Sequence, residues 1–226
     1  MILILGAPRT GSTLLYQLVV NHFKVYYPAN DGTLRMADKP VSYDSFKGKT
    51  KEPYEPSEAS DMMERWFLQG KTVRPDRETE LMTVLGYHSP FVIKNIWNVW
   101  RVDEWVRLFP DVQFVHIRRN RLDASLAYSR SMTENGHGLN DAYLTFYKQP
   151  SYQTVPRDKY KLIDQCSEQD LNVNVEIYKN LEGRNHITMW YENICNDTEW
   201  ALLKLRKFLN VEHRDRPAPK LVAHVR

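Results

Sequence analysis

Apolar positions along the chain come in short runs, and the period of those runs changes from one stretch to the next. Residues 1 to 5, MILIL, are continuously apolar and predict a buried strand. Ser12 to Phe23 is mostly apolar, follows a glycine-bearing loop, and predicts a helix whose N-terminus is aimed at that loop. From Asp31 to about Arg77, Lys, Asp, Glu, Ser and Pro become frequent and no period is sustained. This stretch predicts an irregular insert at about 31–80, with a short helix near Ala59 to Leu68. Order returns at SPFVIKN, a strand from Phe91 to Lys94. Val102, Trp105, Val106 and Phe109 then fall at i, i+3, i+4 and i+7, the core-facing stripe of a helix. A strand from Gln113 to Ile117 follows, then basic residues, then a helix from about Leu122. HITMWYEN reads as a further strand, and Asn196 with Glu199 forms a capping arrangement for a helix from Thr198 to Leu209.

Strands alternating with helices predict an α/β fold, a parallel sheet covered on both faces, with ligands bound beyond the carboxyl ends of the strands. The loop behind MILIL and the RRNR cluster at 118–121 both lie at such ends. A chain of 226 residues is accommodated by one domain. With 42% hydrophobic and 26% charged residues it is of ordinary globular composition. A net charge of only +3 argues against nucleic acid as a partner, yet leaves room for a local basic pocket that takes a small polyanion. Cys166 and Cys195 form no CxxC or Cys/His cluster, so they predict packed thiols and no metal. No apolar run approaches the ~18 residues that span a bilayer, and the first ten residues hold a strand and a loop instead of a signal peptide. The expectation is a cytoplasmic protein without membrane association.

The stretch GAPRTGSTLL, residues 6 to 15, has Gly6, Gly11 and Thr13 where a phosphate-cradling G-x-x-x-x-G-K-[ST] loop has them, with Ser12 in place of the lysine. Backbone amides and the helix dipole still hold a phosphate there. The missing cation is the one that reaches the β/γ-phosphates, which leaves γ-phosphoryl transfer poorly supported. A cation stands three residues earlier instead, at Arg9. An ordinary glycine turn before a helix is the plainer reading of the same residues.

PRTGSTLL resembles the 5′-phosphosulfate loop of sulfotransferases that use 3′-phosphoadenosine 5′-phosphosulfate (PAPS). The resemblance implies a three-layer P-loop fold, PAPS as sulfuryl donor and no metal. It places Arg9 on the bridging and sulfuryl oxygens, with Thr10, Gly11, Ser12, Thr13 and Leu14 supplying amides and hydroxyls. FPDVQFVHIRRNRLDASLAY is similar to the family's 3′-phosphate segment and puts Arg119 on the phosphate-binding arginine, whose planar fork suits a phosphate dianion. The family's serine eight residues further on is Ala127 here, flanked by Ser125 and Ser129; Ser125 is the first candidate to replace it. ITMWYENICNDTEWALLKLRKFLNV resembles the family's strand with a YEdL-like turn, which implies that Tyr191 stacks near the adenine, although an aromatic ending a buried strand is as often core. FVIKN resembles the central strand ending in lysine and places Lys94 near the sulfuryl group; a solvated strand-end lysine is the plainer reading. The resemblance touches residues 1–30, 90–130 and 186–212, about half the chain, and is nearer the tyrosylprotein and bacterial carbohydrate-type branch than the cytosolic one.

Sulfuryl transfer needs neutralisation of the sulfuryl and phosphate oxygens, in-line placement of the acceptor, and a base for its hydroxyl. The histidine that cytosolic members carry two residues past the strand lysine is Ile96 here. Other members carry a glutamate about twenty residues past the loop arginine, a count that reaches Ala29, Asn30 and Asp31. Asp31 is therefore the candidate base, although beside Gly32 it also suits a plain turn. Tyr43, Tyr54, Trp66 and Phe67 either line an acceptor site or pin the insert to the sheet. The leading expectation is transfer to a hydroxyl, carbohydrate-type acceptors first. The competing ones are a non-catalytic module that keeps the nucleotide pocket and, third, a P-loop nucleotide kinase.

Overall fold

The computed structural model describes residues 1–43, 52–58, 60–68, 72–137 and 161–221. Four parallel strands make its central sheet in the order β6-β1-β7-β8, with β1 at Ile2–Leu5, β6 at Val92–Lys94, β7 at Gln113–Arg118 and β8 at His186–Trp190. The pleat sends successive side chains of β1 to opposite faces, and each face has its own core. Ile2 and Ile4 join the core that holds α1 (Ser12–His22), α7 (Tyr191–Asn196) and α8 (Thr198–Phe208). Leu3 and Leu5 join the other, built with α3 (Glu78–Tyr87), α4 (Val102–Leu108) and α6 (Leu162–Leu181). Burial on both faces is why these strands read as apolar runs without alternation. The three-layer α/β architecture expected from the sequence is the one observed.

The described residues of the insert, and the segment just before it, form more regular elements than the composition suggests. β2 (Tyr26–Pro28) and β3 (Leu34–Met36) form a hairpin, and Tyr26 bridges in parallel to Phe91 beside β6. A helix, α2 (Ser60–Trp66), leads into a short hairpin of β4 (Phe67–Leu68) and β5 (Thr72–Val73). Trp66 and Phe67 are buried in the core of α3, α4 and α6, whereas Tyr54 is exposed and Tyr43 meets His22 Nε2 at 3.0 Å. The aromatics of this region therefore mostly anchor it. Lone polar side chains spread through 31–80 hide these elements because each is short and held by tertiary contacts.

Near the C-terminus the helix start differs from expectation. Asp197, not Asn196, caps α8, its carboxylate accepting from Trp200 N at 2.9 Å. Asn196 is the last residue of α7, a short helix that the sequence reading merged with β8. Cys166 and Cys195 are buried free thiols, both held above the ordinary thiol pKa by burial, Cys166 at about 12.

Candidate active site

Register gathers the candidate residues at one end of the sheet. Ile4 pairs with Lys94 across β1 and β6, Leu5 with His116 across β1 and β7, and Arg118 with Trp190 across β7 and β8. Beyond those pairs the chain leaves β1 through Gly6, β7 through Arg119 and β8 through Tyr191. The loop, Lys94, Arg119 and Tyr191 thus share the carboxyl end, where parallel sheets bind ligands.

The loop is tightly held. A Cβ on Gly6 would sit 2.7 Å from Thr10 Oγ1 and 2.8 Å from Ile117 Cγ2, so no larger residue fits between β1 and β7. Thr10 is buried, and its hydroxyl donates to Ala7 O at 2.7 Å, closing the turn instead of facing outward. Arg9 holds a left-handed φ of 65° and Gly11 one of 92°, conformations that turn successive backbone amides into the loop before α1 begins at Ser12. Ser12 is buried and Thr13 and Leu14 are half-buried in the first turn, where helix amides have no intrahelical acceptor.

Arg9 reaches across the site and donates to Ser131 Oγ near the end of α5 (Arg121–Glu134). Burial pulls its guanidinium below the usual pKa, while Glu134, Tyr128 and Glu58 draw it back up. Arg119 donates from Nη1 to Arg9 O at 3.2 Å and stacks over the Tyr191 ring at 4.6 Å. The two arginines are therefore coupled through the loop backbone.

Lys94 is only 5% exposed and ion-pairs with Glu58. Asn95 Nδ2 donates to the Glu58 backbone carbonyl at 2.9 Å, and Asn95 Oδ1 accepts from Trp97 N at 2.9 Å. Asn95 therefore fixes Glu58 against the end of β6 and starts the 3₁₀ turn Ile96–Trp100 at once. Glu58 also contributes to the potential at Arg9, so this carboxylate faces both cations of the site. The sequence reading missed it. The signal available was the lysine itself: an ammonium ending an apolar strand requires a counter-charge when buried.

Three expectations change. Asp31 lies exposed at the β2–β3 turn, where Thr33 and Arg35 hydrogen-bond its carboxylate. Those bonds hold its pKa down at about 2, the wrong direction for a proton acceptor, and its partners are residues of its own hairpin. Ser125 is buried, and its hydroxyl donates to Arg121 O at 2.6 Å within α5. Its single proton is thus committed to the helix backbone. Ser129 likewise donates to Leu126 O at 3.1 Å, and Ser131, which neither count reached, is the α5 serine that meets the loop arginine. Tyr191 also sits differently: it begins α7 beneath the loop, 6% exposed, instead of ending the strand. Among the described residues no group of His, Cys, Asp and Glu could hold a metal, and no helix is long and apolar enough to cross a membrane.

Comparison with known proteins supports the family and the fold. A model of the sulfotransferase family matches residues 2–215, extending well beyond the segments legible by eye. The crystal structure of a sulfotransferase from Alicyclobacillus acidocaldarius superimposes with a TM-score of 0.56 at 14% identity, covering 99% of this chain and 85% of that one. A sulfotransferase domain from the curacin biosynthetic pathway gives 0.54 at 16% identity, covering 100% and 80%. At such identities the likeness of the structures is a likeness of fold. No curated protein matches the sequence.

Proposed function

The chain belongs to the sulfotransferase family, and we propose that it transfers a sulfuryl group from PAPS to an acceptor hydroxyl, with a carbohydrate as the favoured acceptor class. The observation that carries this reading is the Glu58–Lys94 ion pair standing beside the Arg9 loop at the carboxyl end of the sheet. One carboxylate and two cations there match the demands of the reaction: a base for the hydroxyl and positive charge for the sulfuryl oxygens.

The residues present fit the donor. Arg9, Lys94, Arg119 and the amides of the loop and of α1 form a cationic, donor-rich set suited to a nucleotide with charge at two ends. When bound, PAPS supplies a sulfuryl group on a phosphate leaving group. Arg119 is assigned to the 3′-phosphate, and Gly11, Ser12, Thr13 and Leu14 to the 5′ end through their amides. Thr10 acts by closing the loop. Arg9 and Lys94 lower the cost of charge on the transferring and leaving oxygens. Glu58, its side chain 39% exposed, would take the hydroxyl proton as the acceptor oxygen bonds to sulfur and the bond from sulfur to the bridging oxygen breaks, leaving that oxygen on the 5′-phosphate. Trp97, half-buried just past Asn95 with Trp100 packed on the core behind it at 6.0 Å between ring centroids, offers a flat amphipathic surface of the kind that suits a sugar ring.

Thermal unfolding tests the donor assignment, comparing adenosine 3′,5′-bisphosphate with ATP plus magnesium on wild type and on Arg119→Ala. A ligand at 100 times its Kd stabilises by about 2.7 kcal/mol, or roughly 5–10 °C for a chain of this size. Stabilisation by the bisphosphate that is lost in the variant is the expected result. Stabilisation by ATP and magnesium alone, or by neither ligand, would overturn the assignment.

A further inference from the structure

Tyr191 and Glu192 open α7; Tyr191 touches both halves of the site described above and Glu192 the Arg119 half. The Tyr191 ring lies so close to the loop that a Cβ on Gly11 would fall 2.3 Å from its Cδ2 and 3.0 Å from its Cε2. The same ring carries the Arg119 guanidinium at 4.6 Å. Glu192 Oε1 accepts from the backbone amide of Asn120 at 2.9 Å, and the Asn120 side chain in turn caps α5 by accepting from Leu122 N and Asp123 N. The ring is thus pressed on the loop, with Arg119 stacked on it. Only 6% of the residue is exposed, which leaves little ring surface for a ligand's base.

We propose that Tyr191 and Glu192 are positioning residues: a brace that fixes the spacing between the Gly11 loop and the Arg119 turn, and so between the two anionic groups of one nucleotide. The inference rests on the donor assignment above, and it departs from the stacking role that the sequence alone implied for Tyr191. Its logic is geometric. Gly11 belongs to the turn after β1 and Arg119 to the turn after β7, two segments more than a hundred residues apart in sequence. Their direct tie is the hydrogen bond from Arg119 to Arg9 O. A stacked ring beneath Arg119 holds the guanidinium plane while leaving its outer N–H groups directed away from the ring, as a bidentate phosphate contact requires. Glu192 fixes the backbone from which that arginine springs.

A double-mutant cycle on adenosine 3′,5′-bisphosphate affinity tests it, using Tyr191→Leu and Arg119→Ala in the full chain. Arg119→Ala is expected to weaken binding roughly ten- to a hundred-fold, the range of a charge-assisted hydrogen-bond pair. Tyr191→Leu is expected to weaken it roughly three- to thirty-fold, since it removes the stacked ring. Because one acts through the other, the double variant should lose less than the product of the two factors by about three-fold or more. Tyr191→Phe should recover most of what Tyr191→Leu loses. Multiplying losses, as for a ring stacked on the base, would overturn the brace, and so would failure of phenylalanine to rescue. Should Tyr191→Leu not fold, Glu192→Ala replaces it in the same cycle, a half-buried side chain whose removal leaves the core intact; additive losses there overturn the proposal equally. Absence of bisphosphate binding by the wild type would overturn the donor assignment and this inference together, whereas tight wild-type binding with additive losses removes the brace alone.

Discussion

Replacing Glu58 with glutamine separates the carboxylate's two roles, partner of a buried lysine and proton acceptor. The backbone there does not depend on the side chain, because Asn95 Nδ2 holds the Glu58 carbonyl at 2.9 Å. The amide oxygen of Glu58→Gln can still accept from Lys94 Nζ, so a charge-assisted hydrogen bond becomes a neutral-acceptor one. That exchange lowers its worth from about 1.5–3 to about 0.5–1.5 kcal/mol. The buried Lys94 ammonium also loses its counter-charge; with the Glu58 side chain 39% exposed, solvent screening moderates that cost, and the expected stability loss is about 2–3 kcal/mol. In a chain of this size that is a fall in Tm of roughly 4–12 °C.

The catalytic effect should be larger still. A positioned general base contributes roughly 10²- to 10⁴-fold, about 3–5 kcal/mol of barrier, and an amide cannot take a proton. Initial rates at saturating donor, on an acceptor established with the wild type, should therefore show kcat down by at least 10², with the KM for donor changed only a few-fold. The comparator is Asp31→Asn, in which the carboxylate lost is the exposed hairpin group held at about 2 by Thr33 and Arg35; its kcat should stay within about two-fold of wild type. A Glu58→Gln enzyme retaining a third of wild-type kcat would refute the base. A loss confined to donor KM would assign Glu58 to binding.

Two further outcomes follow from the geometry. Gly11→Ala combines a left-handed backbone at φ 92° with a Cβ 2.3 Å from Tyr191, costing about 1–2 kcal/mol of strain and about 1–3 of overpacking. Thermal denaturation should show Tm falling by roughly 4–20 °C, and a fall below about 2 °C would contradict the close approach of ring and loop. Asp170, buried in α6 near Arg121, Arg118 and Asn174, has its carboxyl raised by burial from 3.8 to about 6. Its folded value lies above its unfolded one, so its contribution to stability is fully present below pH 3.8 and is lost as pH rises through about 6. Asp170→Asn should therefore match wild type near pH 4 and exceed it by up to about 3 kcal/mol at pH 8 in denaturant titrations. An advantage that does not grow with pH would refute the assignment. His116, held down at about 4 chiefly by burial, has the opposite slope, but it is common to both proteins and drops out of their difference.

The fold was legible where both faces of a strand are buried. MILIL, FVIK and QFVHI show as apolar runs because α1 and α8 cover one face of the sheet while α3, α4 and α6 cover the other. The loop was legible because its glycines answer to backbone geometry: Gly11 to a positive φ and Gly6 to a gap too small for a Cβ. Segments whose order comes from distant contacts were not. The β2–β3 hairpin leans on Phe91 through Tyr26 and on Tyr54 through the Tyr27 hydroxyl, which donates to its carbonyl at 2.8 Å, and no periodic pattern in 26–36 announces either contact. α7 was invisible because Trp190 and Tyr191, read together, continue a strand; the chain turns into a helix there so that Tyr191 can lie under the loop and Glu192 can take the Asn120 amide.

The candidate site divides along the same line. The cations proposed for the site were named from sequence because each ends or directly follows a strand or sits in a glycine turn: Arg9, Lys94 and Arg119. Their partners were not, because what holds a cation is chosen by tertiary packing. Counting residues from the loop arginine led to Asp31, and counting from Arg119 led to Ala127 and its neighbour Ser125, yet Asp31 serves its own hairpin and Ser125 its own helix. The groups that meet the cations are Glu58, 36 residues before Lys94, and Ser131, 122 residues after Arg9. Lys94 shows why such a partner must exist. At 5% exposure an ammonium without a counter-charge would carry a desolvation cost of several kcal/mol, so a strand-end lysine buried in this fold demands a carboxylate from some other segment. In this chain the insert supplies it. The segment with the least regular sequence thereby provides the proposed base, and the sheet provides only the place where it is held.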